Sequence, residues 1–336
     1  MFIIFSLLAW GLTWGMRMLA LRHSLLDIPN QRSSHSLPTP RGGGIAIVLA
    51  FYLGAGTLVL TGRVDIPHIL GLSGCGLGIA MIGLWDDLFH LSAARRIVVH
   101  VGCVLLALNF FPSNCTSLLP GGEGIAPVVE WGVRLLLVFG VVWLVNLYNF
   151  MDGIDGLAGA EALSVALGAG IILFSLGETG NYFPLLLLLA ASVLGFLLWN
   201  WPPARIFMGD ACSGFLGFCF GMFALLTTCS TSMTLWTWLL LLGVFVVDAT
   251  VTLLVRICRG EKFYQAHRSH AYQILARRTG SHLKVTLGCL GINWLFLFPL
   301  ASLSVYRPEY GLLLVIFSYT LLTILCMLSG AGTTND

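Results

Sequence analysis

Apolar runs of about 20 residues recur along the whole chain, and no other feature of the sequence constrains the fold so strongly. A helical run of that length matches the hydrocarbon thickness of a bilayer. In lipid, backbone groups must be satisfied within the structure, which leaves helices or closed barrels. We read eleven runs: 2–21, 43–61, 68–85, 97–112, 131–148, 156–176, 182–200, 211–230, 235–257, 284–305 and 310–329. The fourth is short. Composition agrees, with 57% hydrophobic and 10% charged residues, where soluble domains carry about a quarter charged. The expected fold is an all-α polytopic membrane protein of about eleven transmembrane helices, one integral-membrane domain over 1–336 in contact with the lipid bilayer.

Charge sets the orientation. No basic residue precedes the first run and no small-x-small site follows it, so it reads as a retained span rather than a cleaved signal. Arg17 and Arg22 come at its end, which predicts an external N-terminus. By alternation the inner loops are 22–42, 86–96, 149–155, 201–210 and 258–283. With the adjoining helix ends this side holds 14 of the 17 Lys and Arg, leaving Arg63, Arg134 and Arg307 outside. The longest outer connection, 113–130, reads as an irregular loop or short hairpin. A net charge of +2 offers nothing to a nucleic acid. The nine cysteines form no CxxC pair and read as apolar packing residues.

The same alternation gathers the polar clusters on the inner side: "RSSHSLPTPRGGG" (32–44), Asp86-Asp87, "NLYNFMDGIDGLA" (146–158), "NWPPARIFMGD" (200–210) and "AHRSHAYQ" (266–273). Five loops on one face suggest one composite site. Asp86 and Asp87 end the third span, where the helix dipole is already negative, so the pair calls for a cation. Asn146, Asn149, Asp152 and Asp155 recur every three residues and would stack along one side of a helical turn. A plain loop would also use Asn, Asp and Gly, but without that register. Asp210 follows two prolines and reads as the cap of the eighth span, with Arg205 and an exposed Phe207 beside it. His267 and His270 have zinc-like spacing. Arg268, Arg277 and Arg278 around them suit phosphate instead. The glycines of "PTPRGGG" could present N–H groups to an anion or simply make a turn. Asp248 lies inside the ninth span, with Arg256 two turns on as a candidate partner.

Carboxylates facing basic residues at a membrane surface suit phosphoryl transfer with Mg²⁺, which is held by one or two carboxylates plus substrate phosphates. A lipid reactant follows from the location. The rival class is a proton-coupled transporter, which would want its polar residues near the bilayer midplane. A membrane phosphatase acting on a lipid diphosphate is a weaker rival.

At these motifs the chain resembles the polyprenyl-phosphate N-acetylhexosamine-1-phosphate transferases, the MraY/WecA-like glycosyltransferase family 4. The resemblance covers nearly the whole chain, with the motifs in the family's order. It implies transfer of a sugar 1-phosphate from a UDP-N-acetylhexosamine to undecaprenyl phosphate, with release of UMP and dependence on Mg²⁺. It also implies a cleft on the cytoplasmic face of a multi-pass protein of the bacterial inner membrane, with a homodimer allowed. By the same resemblance Asp210 matches the magnesium ligand, with Asp87 as the second candidate. Asp86 and Asp87 match the acidic pair whose first member is a proposed base. Asn146, Asn149, Asp152 and Asp155 match positions lining the nucleotide and diphosphate pocket. Asn200 and Phe207 match positions near the nucleobase, and His267 the first His of the histidine loop. Arg268 and His270 lie in that loop, while Arg205, Arg95 and Arg96 are the basic residues expected to meet phosphate.

Two departures steer the reading within the family. The muramyl-pentapeptide branch has consecutive histidines where this chain has "HRSH", and lysines after the acid pair where Arg95 and Arg96 stand here. "RSSHSLPTPRGGG" and "HRSHAYQ" look more like the branch that initiates O-antigen or other surface polysaccharides. The expected chemistry is attack of the lipid phosphate on the β-phosphorus of the UDP-sugar. A covalent aspartyl-phosphate route and a peptidoglycan-precursor transferase are the alternatives.

Overall fold

The computed structural model describes residues 1–29, 37–110, 127–261 and 267–333. Residues 32–36, most of the outer connection 113–130, and 262–266 lie outside them. The described residues are almost entirely helical: α1 (Phe2–Arg22), α2 (Ile45–Leu60), α3 (Ile66–Leu70), a π-helical turn Gly71–Cys75, α4 (Gly76–Phe89), α5 (Ala93–Leu108), α6 (Pro127–Met151), α7 (Leu157–Ser175) and α8 (Tyr182–Asn200). Then follow α9 (Asp210–Ser230), α10 (Leu235–Leu241), α11 (Gly243–Cys258), α12 (Ala271–Thr279), α13 (His282–Ile292), a second π turn Asn293–Leu297, α14 (Phe298–Tyr306) and α15 (Gly311–Ser329). A two-residue ribbon pairs β1 (Leu26–Asp27) antiparallel with β2 (Thr39–Pro40).

Among the described residues, eight helical segments are long and apolar enough to cross a membrane, and α10 with α11 makes a ninth, bent by 77°. The two further runs expected to span, 43–61 and 97–112, are helices of 16 residues each. Lipid is the solvent that these surfaces need. Leu60, Leu295 and Leu328 are 89%, 83% and 75% exposed, which water would penalise.

The helices are not equivalent. In the apolar window of α9, 89% of residues are buried, against 17% in α1. α9 is therefore the central post, with Phe215, Phe218, Phe220 and Phe223 fully buried. Close approach to it depends on glycine: a Cβ at Gly83 of α4 would lie 2.4 Å from the Asp210 carbonyl oxygen. That crossing brings the end of α4 against the start of α9.

Candidate active site

α9 begins at Asp210, where an acid favours the positive end of the helix dipole. Gly209 before it has φ +85, a conformation open to glycine, and a Cβ there would sit 2.8 Å from Asp87 Oδ2. The backbone N–H of Ala211 donates to Asp87 Oδ2 at 3.3 Å, and that of Gly209 donates to Asp152. Asn149, in the last turn of α6, donates through Nδ2 to Asp210 Oδ1 at 2.7 Å and to Ser213 Oγ at 3.3 Å. Arg96 Nη1 bonds Asp86 Oδ2 at 2.6 Å and Asp210 Oδ2 at 3.1 Å. Asp86 is buried, and its Oδ1 accepts from the Leu91 N–H at 2.6 Å. Arg41 donates to the Asp87 carbonyl oxygen.

Four carboxylates thus gather at the start of α9, with Arg96 bridging Asp86 and Asp210 and Arg41 beside Asp87. The excess negative charge shows in Asp152, whose pKa is pushed up to about 7 by burial, then by repulsion from Asp87. Such a cluster favours a hard cation. Among the described residues no three His, Cys, Asp or Glu converge into a complete metal cage. Mg²⁺ does not need one, because substrate phosphates and water fill most of its shell. Asp210 and Asp87, set against each other at the start of α9, fit it as oxygen donors.

Other expected site residues are placed differently. Asp155 is engaged elsewhere: Oδ1 lies 3.2 Å from His282 Nδ1, and Oδ2 accepts from the Ala204 N–H at 3.0 Å. It ties the proline loop to α13. Asn146 donates to Val142 O in its own helix at 2.7 Å. Asn200 is buried, accepting from the Gly156 N–H at 3.1 Å and donating to Ile206 O at 2.9 Å. Arg205 lies over the Trp199 ring at 5.7 Å, toward α1 rather than the acids, because Trp199 Nε1 bonds Trp10 O. Arg95 and Arg268 are exposed, and Phe207 is half-buried.

The glycines of "PTPRGGG" are spent on the fold rather than offered to an anion. Gly43 and Gly44 N–H donate to the carbonyls of Phe207 (2.9 Å) and Met208 (3.0 Å), and Phe207 N–H donates to Pro40 O (2.8 Å). The two loops zip together and hold Gly209 in place.

The histidine loop docks beside the α6–α7 turn. Tyr272 Oη donates to Phe150 O at 2.8 Å. His267 is half-buried, with its pKa lowered to about 3 by burial and then by neighbouring His270 and Arg256, so it is neutral. Ser269 N–H donates to its Nδ1 at 3.5 Å, and Ser269 Oγ lies 3.0 Å from the same atom. That leaves the proton on Nε2. His270 is buried 3.5 Å from Asp248. Asp248 pairs with this loop rather than with Arg256. It accepts from the Ala271 N–H (2.9 Å), the Tyr272 N–H (3.0 Å) and Thr252 Oγ1 (3.1 Å). Arg256 instead meets Glu261 at 2.9 Å. Sequence reasoning missed His282 and Ser213. The i,i+3 spacing of Asp210 and Ser213 was a usable signal, whereas His282 is recognisable only from tertiary contact. A cavity of about 470 Å³ lies among the start of α1, Arg63 and α8, at the opposite end of α8 from this cluster, and contains no acid.

A carboxylate cluster at one end of the buried post of a helical membrane protein suits an enzyme that handles phosphates through a divalent cation. The model of glycosyl transferase family 4 matches residues 69–228, the stretch that carries Asp86, Asp87, Asn149, Asp152 and Asp210. It is 26% identical to the Bacillus subtilis protein named probable undecaprenyl-phosphate N-acetylglucosaminyl 1-phosphate transferase, covering 100% of this chain and 92% of that one. A Thermotoga maritima undecaprenyl-phosphate alpha-N-acetylglucosaminyl 1-phosphate transferase is 28% identical over 96% of this chain and 92% of its own. A Moorella thermoacetica phospho-N-acetylmuramoyl-pentapeptide-transferase is 36% identical, over 56% of this chain and 61% of its own. The chain is therefore a multi-pass helical membrane protein similar over nearly its whole length to undecaprenyl-phosphate sugar-1-phosphate transferases.

Proposed function

We propose that the protein transfers an N-acetylhexosamine 1-phosphate from its UDP-sugar to undecaprenyl phosphate, using Mg²⁺, at the cytoplasmic face of the bacterial inner membrane. A phosphate oxygen of the lipid attacks the β-phosphorus. The bond from that phosphorus to the bridging oxygen breaks, and UMP leaves. The observation that supports this best is the convergence of Asp87, Asp152 and Asp210 on the start of α9, where the carboxylates outnumber the guanidinium groups of Arg96 and Arg41.

Both reactants are anions, and like unit charges at 4 Å repel by about 4 kcal/mol at an effective dielectric near 20. Mg²⁺ held by Asp210 and Asp87 would offset that repulsion and stabilise the leaving phosphate. Asn149 orients Asp210 through Oδ1. His267 offers Nε2–H to the diphosphate as a neutral donor, and Phe207 offers its ring to the base. Asp86 is a poor general base, since Leu91 and Arg96 take both of its oxygens. The need for a base is small, because a phosphate monoester loses its second proton near pH 6.

The names of the Bacillus and Thermotoga relatives favour UDP-GlcNAc as donor, and initiation of O-antigen or another surface polysaccharide as the outcome. The identity to the Moorella relative supports a second reading, a peptidoglycan-precursor transferase. Purified protein incubated with undecaprenyl phosphate, Mg²⁺ and UDP-GlcNAc, UDP-GalNAc or UDP-MurNAc-pentapeptide decides among these by UMP release. No UMP from any donor would sink the reading. Eleven spans with an external N-terminus require reporter fusions after Gly62 and Gly260 to report opposite sides, outside and inside.

A further inference from the structure

Arg96 occupies a place that a helix disfavours for a cation. It lies in the first turn of α5, at the positive end of the dipole. Its neighbour Arg95 is exposed, whereas Arg96 is half-buried. Its Nη1 reaches Asp86 Oδ2 at 2.6 Å and Asp210 Oδ2 at 3.1 Å. The two bonds are unequal. Asp86 is buried and fixed by the Leu91 N–H, so it is an anchor. Asp210 is more open, with side chain 34% exposed against 10% for Asp86. Asn149, the other donor to Asp210, carries no charge. The remaining groups facing this corner are Asp87, Arg41 on the Asp87 carbonyl, and His100, buried one turn further along α5.

We infer that Arg96 is an exchangeable counter-cation for the carboxylate cluster. It balances Asp86 and Asp210 in the metal-free protein, and gives up Asp210 Oδ2 when a divalent cation takes that oxygen. This rests on the reading of Asp210 as the metal ligand. A positive charge 3.1 Å from that oxygen repels an arriving dication, so Arg96 holds metal affinity down. Pivoting on Asp86, the guanidinium then turns released N–H groups toward the phosphate. Arg96 thereby supplies one charge to two tasks, keeping like charges from meeting before substrate arrives. The planar fork suits that second role better than an ammonium would.

The test is direct metal binding, read by Mn²⁺ electron paramagnetic resonance on chelator-stripped full-length protein at one fixed alkaline pH. Arg96→Gln should bind Mn²⁺ at least about tenfold more tightly than wild type, while turnover at saturating metal falls. A merely structural arginine would leave affinity unchanged or weaken it, and that result from folded Arg96→Gln overturns the inference. Should that variant not fold, Asp86→Asn/Arg96→Gln removes the pair as a unit. It should bind Mn²⁺ more tightly than Asp86→Asn alone, and equal or weaker binding overturns the inference. Asp210→Asn separates the two levels. Lost Mn²⁺ binding there upholds the metal reading whatever Arg96 does, and wild-type binding fails that reading and this inference together.

Discussion

Asp210 and Asp248 are aspartates set at the same end of the molecule, each beside the start of a helix, and they are treated in opposite ways. Asp248 is 4% exposed. It receives two backbone N–H groups at the start of α12, a threonine hydroxyl and a nearby histidine. Its hydrogen-bonding capacity is filled from within its own neighbourhood. Asp210 faces Asp86 and Asp87 with the Arg96 guanidinium, which it shares with Asp86, and the Asn149 amide. A buried acid whose charge is fully answered holds a fold together. A cluster whose charge is only partly answered is prepared for a cation from outside. The number of carboxylates near a helix start therefore says less than the number of donors they are given.

The sharpest way to break this contrast is to remove one charge from each. Asp210→Asn should lower turnover by about a thousandfold with the thermal unfolding of the metal-free protein nearly unchanged or raised. Asp248→Ala should do the reverse, losing about 3 kcal/mol or more of stability by orphaning the α12 N–H groups and His270. Differential scanning fluorimetry beside an activity assay reads both. If the two variants behave alike, the contrast is wrong.

Next comes His267→Ala, which should weaken UDP-sugar binding by about ten- to a hundredfold, the worth of a hydrogen bond to a charged group. Mg²⁺ affinity should hold within about twofold. Because burial and neighbouring cations keep this ring neutral down to about pH 3, turnover should show no loss attributable to it between pH 6 and 8. Stoichiometric zinc that disappears in the variant would reassign the loop as a metal site.

Acidity sharpens the picture further. Burial and then the neighbouring Asp87 push the Asp152 pKa up to about 7, well above the ordinary carboxylate range. Its raised value stabilises the metal-free fold fully below about pH 4, and that contribution is lost as pH rises through about 7. Metal and proton compete for the deprotonated form. Activity should therefore climb about tenfold per pH unit below 7, with the midpoint moving to lower pH as Mg²⁺ increases. Asp152→Asn should lose this limb, and an unchanged profile would place the titration elsewhere. The smallest effect expected is from Asn146→Ala, below about twofold, since that side chain bonds only its own helix carbonyl.

The three-residue register of Asn146, Asn149, Asp152 and Asp155 shows what a linear pattern can and cannot carry. It holds while α6 lasts, to Met151, but only Asn149 of the two helical positions meets the acids. Beyond the helix Asp152 turns to Gly209, while Asp155 turns to Ala204 and His282. Period three describes neighbours on a continuous helix, and it has no meaning once the backbone turns. The same limit explains Asp248. An i,i+8 partner on its own helix was the local expectation, yet two backbone donors came from α12, 23 and 24 residues away in sequence.

Much of this protein was decided by its amino acids one run at a time. Apolar length, charge scarcity and Lys and Arg placement require a polytopic helical membrane protein, because lipid solvation acts on each segment locally and independently. The motif residues likewise mark the acids from which a phosphate-transfer site would be drawn. Which acids form the site is a tertiary matter. It depends on glycine at 83 allowing α4 to touch the Asp210 backbone, and on "PTPRGGG" zipping onto "ARIFMGD". It also depends on Arg96 reaching across from α5. Those choices depend on distances between segments remote in the chain, and electrostatic energy depends on distance rather than on order in the sequence.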